Sequence, residues 1–491
     1  MLRKLFILSC IFIYFKSIGQ NEDDVLKFSQ TDLYGSARFE GMAGSFGALG
    51  ADFSAIQINP AGMGRFSSTE VALSFNTAFI NTTGIYNGVS TQASTSNFKV
   101  SNAGLVLTND ISVENDGRLY SQISVGYTRL KNFDFHKVYE GQNFNSRLDV
   151  FTSIGAGIPP PEIYDLRPFT TGLAYDVYAI DFDPTTQQYY SRLTMGDMYH
   201  RQDIRTKGGI GEFHIGYSEN YLNQWYYGGS IGIRTYNYEE SYVHSESLLD
   251  TVGTTLRSFD YIYDQVTEGT GFNLKLGFLY LPTDQIRFGL AFESPTVTRF
   301  EDNWRANMTA EHDYGTETID PTFVPEGRFE YRMKTPMKLR GSFAYILNFR
   351  GAINLDLEYA NFPGGRLNSI NPSAFDSYNF EAENEQVNEQ FRGVLNSRIG
   401  FEYMFLRDVY FRAGYAYLPQ PYKTEVGNVR KANQTFAGGL GYKFRKFTFD
   451  ISYRLLRLYS DYYAFDPSKP ENRTEFQSDL HHFVFSAKIG F

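Results

Sequence analysis

His481-His482-Phe483-Val484-Phe485-Ser486-Ala487-Lys488-Ile489-Gly490-Phe491 is the stretch on which the reading of the fold turns. Phe483, Phe485, Ala487, Ile489 and Phe491 share one face, and Ser486, Lys488 and Gly490 share the other. A period of two marks a strand with one apolar and one polar side. Two architectures carry such a strand. One is a soluble sandwich that uses it as an edge. The other is a membrane barrel, whose outer face meets lipid and whose inner face meets a polar lumen.

Working backwards along the chain, the same alternation returns. Ile123, Val125 and Tyr127 alternate with Gln122, Ser124 and Thr128. Phe213, Ile215 and Tyr217 alternate with Glu212, His214 and Gly216. Leu274, Leu276 and Phe278 alternate with Asn273, Lys275 and Gly277. Further runs begin at Ile286, Met337, Ile353, Leu395, Val409 and Phe447. Short polar links fall near 110–117, 219–224, 282–285, 348–351, 406–408 and 445–446. Long ones fall near 81–96, 133–206, 244–261, 300–325, 363–387, 419–432 and 460–478. Alternating short and long links predict fourteen strands over 69–491, with 133–206 the longest connection and both barrel ends on the periplasmic side. A C-terminal strand ending on Phe491 is similar to the signal that bacterial outer-membrane barrels present to the assembly machinery, which makes that machinery an expected partner.

Composition agrees. The chain has 44 Phe and 37 Tyr against 2 Trp, and a formal charge of −10. Residues 1–19 read as a signal peptide: Arg3 and Lys4, then an apolar core from Leu5 to Phe15 that is too short to span a bilayer. A lipoprotein reading of Leu8-Ser9-Cys10 fits poorly, because apolar residues continue past the cysteine. Removing the leader takes away three cations (Arg3, Lys4 and Lys16) and no acid, so −10 becomes −13. An acidic chain argues against nucleic acid as a partner. Cys10 is the only cysteine, so the mature chain is left without thiol chemistry.

Residues 20–68 break the pattern. GSARFEGMAGSFGALGADFSAIQINPAGMGRF, residues 35–66, is rich in small residues and carries Asn59-Pro60-Ala61-Gly62. Glycine weakens strands and proline removes a ladder donor, so something compact precedes the first strand. Asn59-Pro60 also reads as an ordinary turn in a flexible leader. No Gly-Lys-Ser/Thr follows, which removes a phosphate-binding loop. The segment from Gly41-Met42-Ala43-Gly44 through Asp52-Phe53-Ser54-Ala55-Ile56 to Asn59-Pro60-Ala61-Gly62 resembles the N-terminal hatch of the FadL family of outer-membrane transporters. The resemblance continues in Gly271-Phe272-Asn273-Leu274-Lys275-Leu276-Gly277 and in Thr335-Pro336 at the start of a strand. It implies an all-β barrel with a plug in its lumen, seated in outer-membrane lipid. It implies uptake of long-chain fatty acids or other hydrophobic small molecules, gating by Gly41, Gly44, Gly47, Gly50, Asn59, Pro60, Ala61 and Gly62, and lateral release through the wall.

Two sets of residues suit such a path. Leu148, Phe151 and Ile154 have helical spacing in the longest link; they either meet a ligand or pack the loop. Arg234, Lys338, Arg340, Arg398, Arg412 and Arg454 face the lumen; they either hold a carboxylate or pair with Glu212, Glu293, Asp356, Glu358, Glu402 and Asp450. FadL-like barrels of the PorV kind carry secreted proteins, and the hatch motif does not separate that role from import. An enzyme is not expected: none of the seven histidines lies in a His-Glu-x-x-His pattern or shows a local Ser/Asn pairing that stands out, and no metal or other cofactor is implied. His481-His482 is expected at an extracellular strand end. A haem reading of that pair meets the objection that adjacent strand residues face opposite ways.

Overall fold

The computed structural model describes residues 22–114, 116–193, 197–250, 255–348, 350–371, 378–423 and 431–491. The expected signal peptide, 1–19, lies outside them. Fourteen antiparallel strands close into a barrel. They are β1 (Glu70–Tyr86), β2 (Val89–Asp110), β3 (Arg118–Asn132, resuming as Phe135–Asn143), β4 (Met198–Tyr221), β5 (Trp225–Leu248) and β6 (Leu256–Tyr280). Next come β7 (Ile286–Glu293, then Val297–His312), β8 (Glu326–Lys334, then Lys338–Leu347), β9 (Gly351–Asn361, then Arg366–Ser369) and β10 (Gly393–Leu406). The last four are β11 (Val409–Leu418), β12 (Asn433–Phe444), β13 (Phe447–Tyr463) and β14 (Arg473–Gly490). β14 returns to β1 along a ladder from Glu70↔Gly490 to Tyr86↔Thr474, which closes the ring. Among the described residues no helix is long and apolar enough to cross a membrane.

The two faces follow the alternation. Ile123, Val125, Phe213 and Ile215 are exposed on the outside, while Gln122, Ser124, Glu212 and His214 are buried inside. Prolines mark the breaks in β7 and β8, since each removes a ladder donor. The breaks, at Pro295 and Pro336, sit side by side, and Thr296 and Thr335 bridge them: Thr335 N–H donates to Thr296 O at 3.0 Å, and Thr296 N–H to Thr335 Oγ1 at 2.8 Å.

The short links fall where the alternation placed them, but the expected long links are cut back by longer strands. Residues 81–96 are ladder, not link: β1 runs to Tyr86, β2 starts at Val89, and the turn is Asn87-Gly88 with φ of +46° and +85°. Both signs are positive, as the tightest hairpin turn requires. The 133–206 link shrinks to 144–197, because β3 continues to Asn143 and β4 begins at Met198. β5 holds 24 residues against the about 9–11 that cross a bilayer. The physical reason lies on its outer face. Tyr227, Ile231 and Ile233 are exposed and apolar; Thr235, Asn237, Glu239 and Ser241 are exposed and polar. Above the membrane a strand keeps its ladder but no longer needs an apolar outside.

The lumen is filled in three layers, which the inner face of β5 reads in order. Tyr226 packs with the segment 33–66, Tyr236 and Tyr238 with helix α1 (Glu22–Ser29), and Tyr242 and Leu248 with the outer loop that follows β3. That loop carries α3 (Arg147–Gly155), α4 (Pro160–Leu166), α5 (Thr171–Asp176) and a small hairpin, Ile180–Asp183 with Gln188–Ser191; the helix between 33 and 66 is α2 (Ala37–Gly41). His481 and His482 lie within β14 rather than at its end. His481 faces outward onto Tyr453, and His482 faces the lumen at 2.9 Å from Asn76 Nδ2.

Candidate functional site

Three side-chain caps shape the hatch. Ser36 caps α2, accepting from Phe39 N–H. Asp52 caps the short 3-10 turn Phe53–Gln57, accepting from Ser54 N–H at 2.9 Å. Asn59 caps Pro60–Arg65, accepting from Ala61 N–H at 3.1 Å, with Pro60 at the first position where no N–H is needed. The Asn59 amide then donates to Gly47 O at 2.8 Å and to Phe278 O of β6 at 3.1 Å, so one side chain joins two hatch segments and the wall. Gly50, at φ +63°, lies against Gly62, and Ala51 N–H donates to Gly62 O. Gly41 rests on Gly439 of β12, and Gly44 turns the chain at φ +75°. Gly277 and Gly228 of the wall leave the space that Asn59, Pro60 and Ala61 fill; a Cβ at either would overlap them.

Charge fixes this insert to the wall. Arg38 makes a two-pronged bond to Glu402, both contacts at 2.8 Å. Lys488 meets Asp52 at 2.6 Å and Arg454 meets Glu40 at 3.2 Å. Asp356 accepts from Phe46 N–H at 2.7 Å and Gly47 N–H at 3.1 Å. Buried ions lose their hydration, so each is tolerable only with its partner in place.

The lumen bases proposed for a carboxylate are engaged by the wall or, for Arg454 and Lys338, by the N-terminal segment. Glu212, Arg234, Glu293, Arg340, Glu358 and Arg398 form one chain of ion pairs across β4 to β10, at 2.7, 2.5, 2.7, 2.6 and 3.3 Å, and Lys275 joins it at Glu212. Lys338 donates to Thr31 Oγ1 at 3.2 Å. Arg412 bridges Glu402 and Asp450.

Above the hatch the chemistry changes. α1 sits in a chamber of wall aromatics. Phe28 stacks on Phe300 at 4.8 Å and meets Phe133, Tyr236 and Tyr238 edge-on at 5.9–6.0 Å. Val25 and Leu26 are buried beside it. Lys131 Nζ donates to Lys27 O at 2.8 Å, and Lys27 lies 4.4 Å from the Tyr238 ring. An aromatic chamber of this kind suits any apolar body of similar size.

The wall beside this chamber is incomplete. The β2–β3 ladder runs from Asp110↔Tyr120 to Asn102↔Thr128 and stops there. Beyond it, β3 passes Leu130 and Phe133, both chamber residues, and its second half pairs only with β4. That half runs behind the β1–β2 hairpin: Asn87 Nδ2 donates to Gln142 O at 2.9 Å, and Gly84 packs on Val138 O. The edge of β2 from Val89 to Ser101 therefore has no ladder on this side.

Leu148 and Phe151 are buried in the outer loop's own core with Leu173, Tyr242 and Tyr261, and Ile154 packs at its margin. Arg147 lies 4.2 Å over the Tyr261 ring and ties α3 to the same aromatic group. These residues pack the loop; they do not reach the chamber's Phe28 cluster, which is separate.

Sequence reasoning missed α1 and the wall partners of the hatch. Val25, Leu26 and Phe28 stand in EDDVLKFS with helical spacing, a signal short enough to pass for a charged leader remnant. Asp356 and Glu402 looked like any other lumen acids; nothing local tells which of them bonds the hatch and which bonds the wall.

The geometry can now be set against known proteins. The crystal structure of the Pseudomonas putida toluene transporter TodX superposes with a TM-score of 0.55 at 14% identity, covering 94% of this chain and 99% of that one. A Pseudomonas aeruginosa FadL homologue gives 0.54 at 13% identity over 94% and 100%. The Ralstonia pickettii toluene transporter TbuX gives 0.52 at 12% over 94% and 99%. At such identities these likenesses speak for the fold. No curated protein sequence matches the chain. Residues 228–487, more than half of the chain, match the family described as outer membrane protein transport protein (OMPP1/FadL/TodX), and the chain belongs to that family of outer-membrane barrels.

Proposed function

We propose that this barrel takes up hydrophobic small molecules, with long-chain fatty acids and aromatic hydrocarbons as the substrate classes. The observation that carries the reading is the aromatic chamber held by Phe28 between the charge-fastened hatch below and an outer loop above. A ligand entering there displaces α1 and leaves sideways where the β2–β3 ladder stops, next to Leu130 and Phe133. The solved relatives named as toluene transporters support the substrate class. With Arg234, Arg340 and Arg398 engaged in wall ion pairs, a fatty-acid carboxylate is better served by Lys131, whose contact with Lys27 O is released when α1 leaves. The test is uptake of labelled oleate and labelled toluene by a deletion strain and its complemented parent. Faster uptake of either compound in the complemented strain is expected; equal uptake of both overturns the reading.

The free edge of β2, residues 89–101, supports a second reading: a barrel that carries surface proteins by adding their extended segments to this edge. Secreted proteins co-purifying with the barrel, in place of bound lipid or hydrocarbon, would favour it.

A further inference from the structure

At the outer rim, above the lipid-facing band, three side chains from two neighbouring strands converge. His200 of β4 lies directly across the ladder from Glu246 of β5, and His244 is two residues before Glu246, so all three point to the same inner face. Each is fully buried. His244 Nε2 lies 2.8 Å from Glu246 Oε1, and His200 Nε2 lies 3.9 Å from Glu246 Oε2. One donor atom from each of the three falls within 4.8 Å of the others. Phe465 covers both rings at 5.8 and 5.7 Å.

The hydrogen bonds leave a place for a cation. His200 Nε2 has no hydrogen-bond partner among the described residues and points towards the carboxylate. Tyr139 donates its proton to Gln202 Oε1 at 2.8 Å, and its oxygen lies 3.4 Å from His244 Nδ1. The shortest contact of His244, Nε2 to Glu246 Oε1 at 2.8 Å, is an imidazole–carboxylate hydrogen bond whose proton a metal ion would replace, and the unpartnered His200 Nε2 offers a second donor beside it. Tyr86, 3.3 Å from His200 Nδ1, and Tyr139 stand where the outer hydrogen-bond partners of metal-bound imidazoles stand.

We propose that His200, His244 and Glu246 bind one divalent transition-metal ion of the zinc class. Two imidazoles and a carboxylate are a donor set that zinc accepts, leaving a fourth position open. Zinc–ligand bonds of about 2.0–2.2 Å put tetrahedral donors roughly 3.3–3.6 Å apart, so binding draws His200, now 3.9 Å from Glu246, inward and moves His244, now 2.8 Å from it, slightly outward. The ion would share Glu246 with the outer loop, because Ser146 Oγ and Arg147 N–H, at the start of α3, donate to the same carboxylate. Metal occupancy would thereby act on the seating of that loop.

The test uses the full folded barrel in detergent, without a histidine tag, stripped with chelator and equilibrated with zinc. Retention of equimolar zinc is expected. X-ray absorption of the zinc-loaded protein should read two imidazole nitrogens and an oxygen donor, a measurement that needs no variant. His200→Gln and His244→Gln should each weaken binding by at least about tenfold. His136→Gln, altering a partly exposed rim histidine paired with Asp203, should leave it unchanged. Absence of equimolar zinc in the folded protein, a metal shell without imidazole, or full binding by the His200→Gln/His244→Gln double variant would overturn the proposal.

Discussion

Two successive pieces of the N-terminal segment occupy one lumen by opposite means. The hatch, from Ser36 to Phe66, is fastened to the wall by charge and directed hydrogen bonds: Arg38 to Glu402, Lys488 to Asp52, Asp356 to the Phe46 and Gly47 amides. Helix α1, a few residues earlier, is held mainly by aromatic contact around Phe28. Directed bonds between buried ions have no substitute, because removing one partner strands the other in a low dielectric. Aromatic contact is replaceable, because dispersion and apolar burial do not ask which molecule supplies the surface. The hatch therefore reads as the part that keeps the lumen shut, and α1 as the part that a ligand can replace.

The strongest way to break this comparison is at Glu402. Glu402→Ala leaves Arg38 without its partner and Arg412 with only Asp450, at a cost of about 3–5 kcal/mol to hatch seating. We expect higher ion conductance in planar bilayers. A cysteine introduced at the buried Ser45, which bonds Asn354 O at 3.0 Å, should become open to a water-soluble thiol reagent. Unchanged conductance and labelling would mean that apolar packing alone seats the hatch.

Phe28→Ala attacks the other side. Emptying a fully enclosed aromatic position costs about 3–4 kcal/mol of local packing. Added toluene should recover part of that loss as a raised melting temperature, because a small aromatic refills the space. Loss without recovery would show that the chamber is core rather than receptor. The same ligand added to Glu402→Ala should recover nothing.

How much of this could be read from sequence follows from what each contact requires. The barrel was legible because lipid demands an apolar face at every second residue, as in Phe483, Phe485 and Ile489. The strand extensions were not: at Asn81 to Ser96 the outer face meets water, the hydrophobic period vanishes, and only Asn87-Gly88 records the turn. The hatch was visible through its glycines and Asn59-Pro60. Its wall partners were hidden because Asp356 and Glu358 sit two residues apart on one strand and differ only in what folds against them: Gly47 for the first, Arg340 and Arg398 for the second. Leu148 and Phe151 were legible as a helix face, but a helix face does not say whether its complement is a ligand or, as here, Tyr242 and Tyr261.

The outer loop supplies a control between the two extremes. Phe151→Ala should cost about 3 kcal/mol in the loop's own core and raise proteolysis between residues 144 and 193. Hydrocarbon uptake should stay near the parent level, since Phe151 packs away from the Phe28 cluster. A fall in uptake as large as that of Phe28→Ala would place the loop core on the ligand's path.

The smallest expected effect belongs to Asn59. Asn59→Ala removes a cap and two donated bonds, one to Gly47 O and one to Phe278 O, while every ion pair of the hatch stays in place. The cap is worth about 1 kcal/mol. The freed carbonyls add a similar amount, because Phe278 O keeps its strand neighbours and Gly47 O sits where water can reach only if the hatch loosens. We expect brief channel openings in single-channel recordings, with normal heat-modifiable folding and unchanged mean conductance at rest. Openings as long as those of Glu402→Ala would mean that Asn59, and not the charges, is the principal fastening. No openings at all would mean that Asn59 shapes the hatch locally without joining it to β6. Gly277→Ala attacks the same cap from the wall side, because its Cβ would overlap Asn59 Oδ1 and crowd Ala61 N, and it should reproduce the brief openings of Asn59→Ala.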